Sequence, residues 1–158
     1  MKKWFKIVVA ATLALAAWGC GEPEETGEPQ LPITSANIAG VWQLTEWQGE
    51  AVSEDMVVYI EFVNVGRTYT LYQNVDSSVI DVITGDYNLY TSPSSGLSIL
   101  SGKYDYSDST EWSNRYVVSS LTATTMVLKV YTEGATSTAG AESFVYTKRD
   151  SLPEGIGK

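Results

Sequence analysis

The sequence predicts an all-β fold, an eight-stranded antiparallel up-and-down barrel. Three observations predict it. Eight short runs are apolar, β-branched or alternating, and turn residues punctuate them. No segment holds a helical period. Short links follow one another along the chain, which favours a meander over a Greek key with its crossing connections.

The elements follow in order. Ser35–Ala39 reads as one helical turn capped by Thr34 or Ser35. Gly40–Gln48 alternates. Met56–Val63 is apolar and β-branched, and Arg67–Gln73 alternates again. Val79–Tyr90 is a strand with a bend expected at Gly85. Leu97–Lys103, Arg115–Leu121, Thr125–Tyr131 and Ser143–Lys148 complete the eight. Asn64–Gly66, Thr91–Gly96 and Thr122–Thr124 are short links. Gly49–Asp55, Asp105–Asn114 and Glu133–Glu142 are longer, and Asn74–Ser78 is intermediate. Successive links of a meander alternate between its ends. The barrel should therefore have a tight base and a mouth rimmed by long loops.

The first twenty residues are of another kind. Met1–Lys6 is basic, Ile7–Trp18 is an apolar run broken only by Thr12, and Gly19-Cys20 closes it. The run is too short for the ~20 residues that span a bilayer, and its flanks are those of a secretory signal. Cys20 is the single cysteine, placed just after the expected cleavage site. The pattern resembles a bacterial lipoprotein signal, which implies lipid attachment at Cys20. A plain secretory peptide is the alternative. The expected organisation is a signal over 1–19, an acidic disordered tether over 20–33, the barrel over 34–150 and a tail over 151–158. The implied address is the outer membrane, on its periplasmic or cell-surface face, with the membrane as partner through the Cys20 lipid.

The full chain carries 10 basic and 19 acidic side chains, a net of −9. Lys2, Lys3 and Lys6 leave with the signal, so the mature chain stands at 7 − 19 = −12. Nucleic acid is excluded as a partner by phosphate repulsion. There is no histidine. That removes the Ser-His-Asp triad, the Cys-His dyad and nearly every zinc site. No cofactor, catalytic residue or metal site is expected, and the chain reads as a non-enzyme.

Gly40-Val41-Trp42 opens the first strand, and Lys148-Arg149 closes the last. In an eight-stranded meander both ends lie at the base. Trp42 and Arg149 are then expected to form a lock, with the guanidinium over the indole. Together with Tyr59-Ile60-Glu61-Phe62, Thr84-Gly85-Asp86-Tyr87, Tyr116–Thr122 and Met126-Val127-Leu128, this order of motifs resembles the lipocalin-like (calycin-like) lipoproteins of the Bacteroidota, from Ile38 to Arg149. The resemblance implies the barrel fold and, for many members of the family, no settled activity. An eight-stranded barrel is just wide enough to fill with side chains or to hold one small ligand.

Alternation assigns the faces. Trp42, Leu44 and Glu46 point inward, as do Val58, Ile60, Phe62, Tyr69 and Leu71. Tyr116, Val118, Met126, Leu128, Val130, Phe144 and Tyr146 follow. Those nearest the mouth are the ligand candidates: Glu46, Val58, Gln73, Tyr116, Val130 and Phe144. A buried Glu46 is either a polar anchor or a sign that the alternation slips at the strand end. Asp105, Asp108 and Glu111 sit in one long loop with Tyr104, Tyr106 and Trp112. That loop reads as solvated, with calcium or sugar binding as rivals. The functional expectation is a lipid-anchored envelope protein that binds a small, partly apolar molecule at the barrel mouth. The alternative is a glycan- or protein-interaction module whose loops bind and whose interior is only core.

Overall fold

The structure, a computed structural model, describes residues 27–75, 77–106 and 110–157. Cys20 and Asp108 lie outside the described residues. Among the described residues, one helical turn, α1 (Ser35–Ile38), precedes nine strands. These are β1 (Gly40–Trp47), β2 (Glu50–Ala51), β3 (Val58–Val63), β4 (Thr68–Gln73), β5 (Asp81–Thr91), β6 (Ser98–Tyr104), β7 (Arg115–Leu121), β8 (Thr125–Tyr131) and β9 (Ser143–Arg149). Eight of them, β1 and β3 to β9, pair antiparallel in sequence order, and β1 pairs with β9 to close the barrel. The predicted fold class is the observed one.

β2 is an addition the strand patterns did not suggest. Gln48 (φ 55°) and Gly49 (φ 81°) are both left-handed, as a tight two-residue hairpin needs, and they fold Glu50–Ala51 back on β1. β5 runs unbroken through Gly85, where a bend was expected.

The register places the two ends as anticipated. Residues 64–67, 92–97 and 122–124 form the tight base, and the four longer connections ring the mouth. Inward-facing apolar residues of every barrel strand meet in one core around Trp42, Phe62, Tyr69, Leu100 and Met126. Phe62 and Tyr87 pack edge-to-face at 5.1 Å.

Two segments outside the barrel are seated on it. The expected disordered tether gives way at Glu28, whose carboxylate accepts from Thr124 Oγ1 at 2.7 Å. Leu31 N donates to the Leu121 carbonyl at 2.7 Å, and Leu31 and Ile33 pack against the core. These two apolar side chains cover the base, where the interior would otherwise meet water. The C-terminal tail lays Leu152 and Ile156 on an outer cluster of Val41, Tyr59 and Tyr72.

The base lock is real, but its cation is not Arg149. Trp42 pairs with Lys148 and Val41 with Arg149. Directly paired residues share a face, so Lys148 turns in and Arg149 turns out. Lys148 Nζ sits 5.0 Å from the Trp42 ring centroid and donates to the Ala39 carbonyl at 3.0 Å. Arg149 is exposed and its Nε donates to Gln43 Oε1 at 2.8 Å. Gly40 belongs to this lock. It holds φ at 118°, and a Cβ there would lie 3.1 Å from Lys148 Cε.

Candidate functional site

The site begins at a fault in the wall. β5 and β6 pair at seven positions, whereas β6 and β7 pair only at Ile99–Val117 and Leu100–Tyr116. Above those pairs the two strands diverge. The loop after β6 fills the gap by folding back on its own strand. Tyr104 N donates to the Thr110 carbonyl at 2.8 Å, and Trp112 N to the Gly102 carbonyl at 2.9 Å. The backbone groups that β7 leaves unpaired are thereby satisfied.

This fold-back carries Trp112 to the inner side of the wall. Gly102 faces inward between Leu100 and Tyr104, and the indole lies where its side chain would be. Trp112 Nε1 donates to the Tyr69 hydroxyl at 2.7 Å, and the two rings meet edge-on at 4.9 Å. A glycine inside a strand was the signal available in the sequence, because it marks a close approach of another group.

Beneath Trp112 lies a cavity of about 270 Å³. Ile60, Phe62, Leu71, Leu100 and Leu128 form its apolar wall. Tyr69, Tyr104, Tyr116 and Tyr146 also line it, and Ser113 and Asn114 border it beside Trp112. No charged side chain lines it among the described residues. Burial raises the Tyr146 and Tyr116 hydroxyls above the ordinary phenol range, and an Asn114 side-chain hydrogen bond partly offsets the rise at Tyr116. Burial pushes Tyr69 up to about 12, against the opposing hydrogen bond from Trp112. The interior thus keeps its phenols neutral.

A consequence at high pH follows. A folded pKa raised above the unfolded 10.0 means that the folded state holds the proton more tightly. The stability this supplies is complete below pH 10 and is lost as pH rises toward about 12. Denaturant midpoints measured across that window should fall, and Tyr69→Phe should flatten the fall.

The predicted mouth residues divide. Tyr116 lines the cavity. Phe144 contacts Tyr116 edge-on at 5.8 Å and stacks on Trp47 at 5.9 Å, above the cavity rather than in it. Val58, Gln73 and Val130 hold inward register positions near the rim but do not border the cavity. It sits one layer deeper, at Ile60–Leu71. Glu46 is exposed on the outer face. A β-bulge between Leu44 and Glu46 inserts one residue opposite β9, which reverses the alternation and brings Trp47 opposite Phe144. Trp112 was assigned to a solvated loop and instead plugs the wall. Tyr106 does remain exposed, stacked on Tyr104 at 5.1 Å. No cluster of metal-ligating side chains occurs among the described residues.

A closed antiparallel barrel with a hollow beneath its looped end defines the class of small β-barrels that can enclose one ligand. The model of the lipocalin-like domain matches residues 38–128, from the end of α1 through most of β8. The match covers more than half of the chain, and the chain belongs to the lipocalin-like domain family. Comparison with curated proteins and with solved structures gives no match.

Proposed function

We propose that this protein is a lipid-anchored lipoprotein of the outer membrane whose barrel binds one small, partly apolar, uncharged molecule. The uncharged cavity of about 270 Å³ carries this reading. Its volume is near the small end of ligand pockets, roughly 300–1,000 Å³. A buried ion would find no counter-charge on its walls and would lose its hydration. A ring or short chain with one hydrogen-bonding group suits it, because no hydrogen bond among the described residues engages the Tyr146 hydroxyl. An anchor at Cys20, upstream of a segment that reaches the barrel at its closed base, would leave the looped end facing away from the membrane.

Native mass spectrometry of the purified protein and titration with the neutral dye N-phenyl-1-naphthylamine test the binding. Dye fluorescence is expected to rise on binding. Leu71→Trp, which fills the cavity, should weaken the dye by about tenfold or more, whereas Tyr106→Ala should leave it unchanged. The opposite pattern would select the loop-interaction reading. The anchor is tested separately: Cys20→Ala should move the protein from the membrane to the soluble fraction.

A further inference from the structure

The barrel's outer wall holds a second and larger hollow. Where β6 and β7 diverge, a groove of about 690 Å³ opens on the outside. Register builds its first side. Asp86 pairs with Lys103 and Asn88 with Ser101, and these pairs alternate with inward Tyr87, Leu89 and Leu100. Their side chains therefore stand outward along β5 and β6. The second side is the top of β7 and β8, where Arg115 pairs with Tyr131. Arg115 bridges Glu133 at 3.0 Å and approaches the Tyr90 hydroxyl at 3.5 Å. Trp112, Ser113 and Asn114 border the groove as well as the interior cavity and separate the two.

The lining indicates what such a groove would hold. Its charges come from Asp86, Glu111 and Glu133 against Lys103 and Arg115. Signs so nearly balanced make no field that would collect a polyanion or a polycation. Side-chain amides and hydroxyls occupy much of the remaining lining, so an apolar molecule would strand polar groups there. A neutral polyhydroxylated ligand meets these demands. Its hydroxyls donate to carboxylates and accept from guanidinium, ammonium and amide groups. The half-buried rings of Tyr90 and Tyr131 offer amphipathic surface to its C–H faces.

We propose that the groove between β6 and β7 is a binding site for a neutral saccharide, distinct from the barrel cavity and independent of what the cavity binds. Calorimetric titration of the purified protein with maltotriose, cellotriose, xylotriose and triacetylchitotriose tests it. At least one should bind. Ser101→Arg crowds the groove from an outward strand position and should weaken that sugar by about tenfold or more. N-phenyl-1-naphthylamine binding should be unchanged in the same variant. Asn88→Ala, at an exposed position, repeats the test if Ser101→Arg fails to fold. Binding by none of the four sugars overturns the proposal. So does sugar binding that survives both groove variants, or that is lost in Leu71→Trp. Failure of the dye to bind would count against the cavity reading and leave the groove reading intact.

Discussion

Trp42→Ala is expected to cost about 3–5 kcal/mol, a large part of the 5–15 kcal/mol that holds a typical domain together. Three effects act at one residue. The indole is fully buried at the barrel base, so truncation leaves a cavity that the surrounding strands cannot close. Its Nε1 donates to the Ile38 carbonyl at 2.7 Å, and that carbonyl would be left unpaired. Lys148 would lose the ring beneath its ammonium. Graded variants separate these effects. Trp42→Phe keeps most of the packing and gives up the hydrogen bond, at about 1–3 kcal/mol. Lys148→Met removes the cation and keeps the stem, at about 0.5–2 kcal/mol. Arg149→Ala should shift the urea midpoint little, since the side chain is exposed and its hydrogen bond is to Gln43. A midpoint for Arg149→Ala below that of Lys148→Met would contradict the observed register.

Gly102→Ala is the second large effect, and it should act through Trp112. A single methyl group at this position occupies the space of the indole. The ring must leave, or β6 must shift. Overpacking of this kind costs about 1–3 kcal/mol. Expulsion of the ring also breaks the Trp112–Tyr69 hydrogen bond and opens the cavity toward the outer groove. Tryptophan emission should move to longer wavelength as Trp112 meets water. The dye should then exchange faster, because the wall between cavity and groove has lost its plug. A double-mutant cycle identifies the cause. In a Trp112→Ala background, the further step to Gly102→Ala should cost less than about 0.5 kcal/mol. An undiminished cost there would place the strain in the β6 backbone instead.

Much of the scaffold was legible residue by residue. Alternation put Ile60, Phe62, Tyr69, Leu71, Leu128 and Tyr146 inside, and inside they are. The link lengths separated base from mouth correctly. Tyr116 was the one mouth candidate that borders the cavity. Glu46 failed because a bulge, set by how β1 meets β9, reverses the faces beyond Leu44. Arg149 failed for a related reason. Lys148 and Arg149 are adjacent cations on opposite faces, and only the pairing of β1 with β9 says which one shares a face with Trp42. Leu100, Tyr104 and Trp112 were missed because the cavity lies a layer below the rim, behind a loop that folds inward.

The sequence by itself determined the eight barrel strands, their order, the two ends of the barrel and most of its inner face. These depend on local quantities: a two-residue period, turn chemistry and link length. Tertiary structure decided the register that seats Lys148 on Trp42, the bulge that turns Glu46 out, and the parting of β6 from β7 that admits Trp112. Each depends on contacts between segments distant in the chain, and a one-residue slip would reverse every face involved.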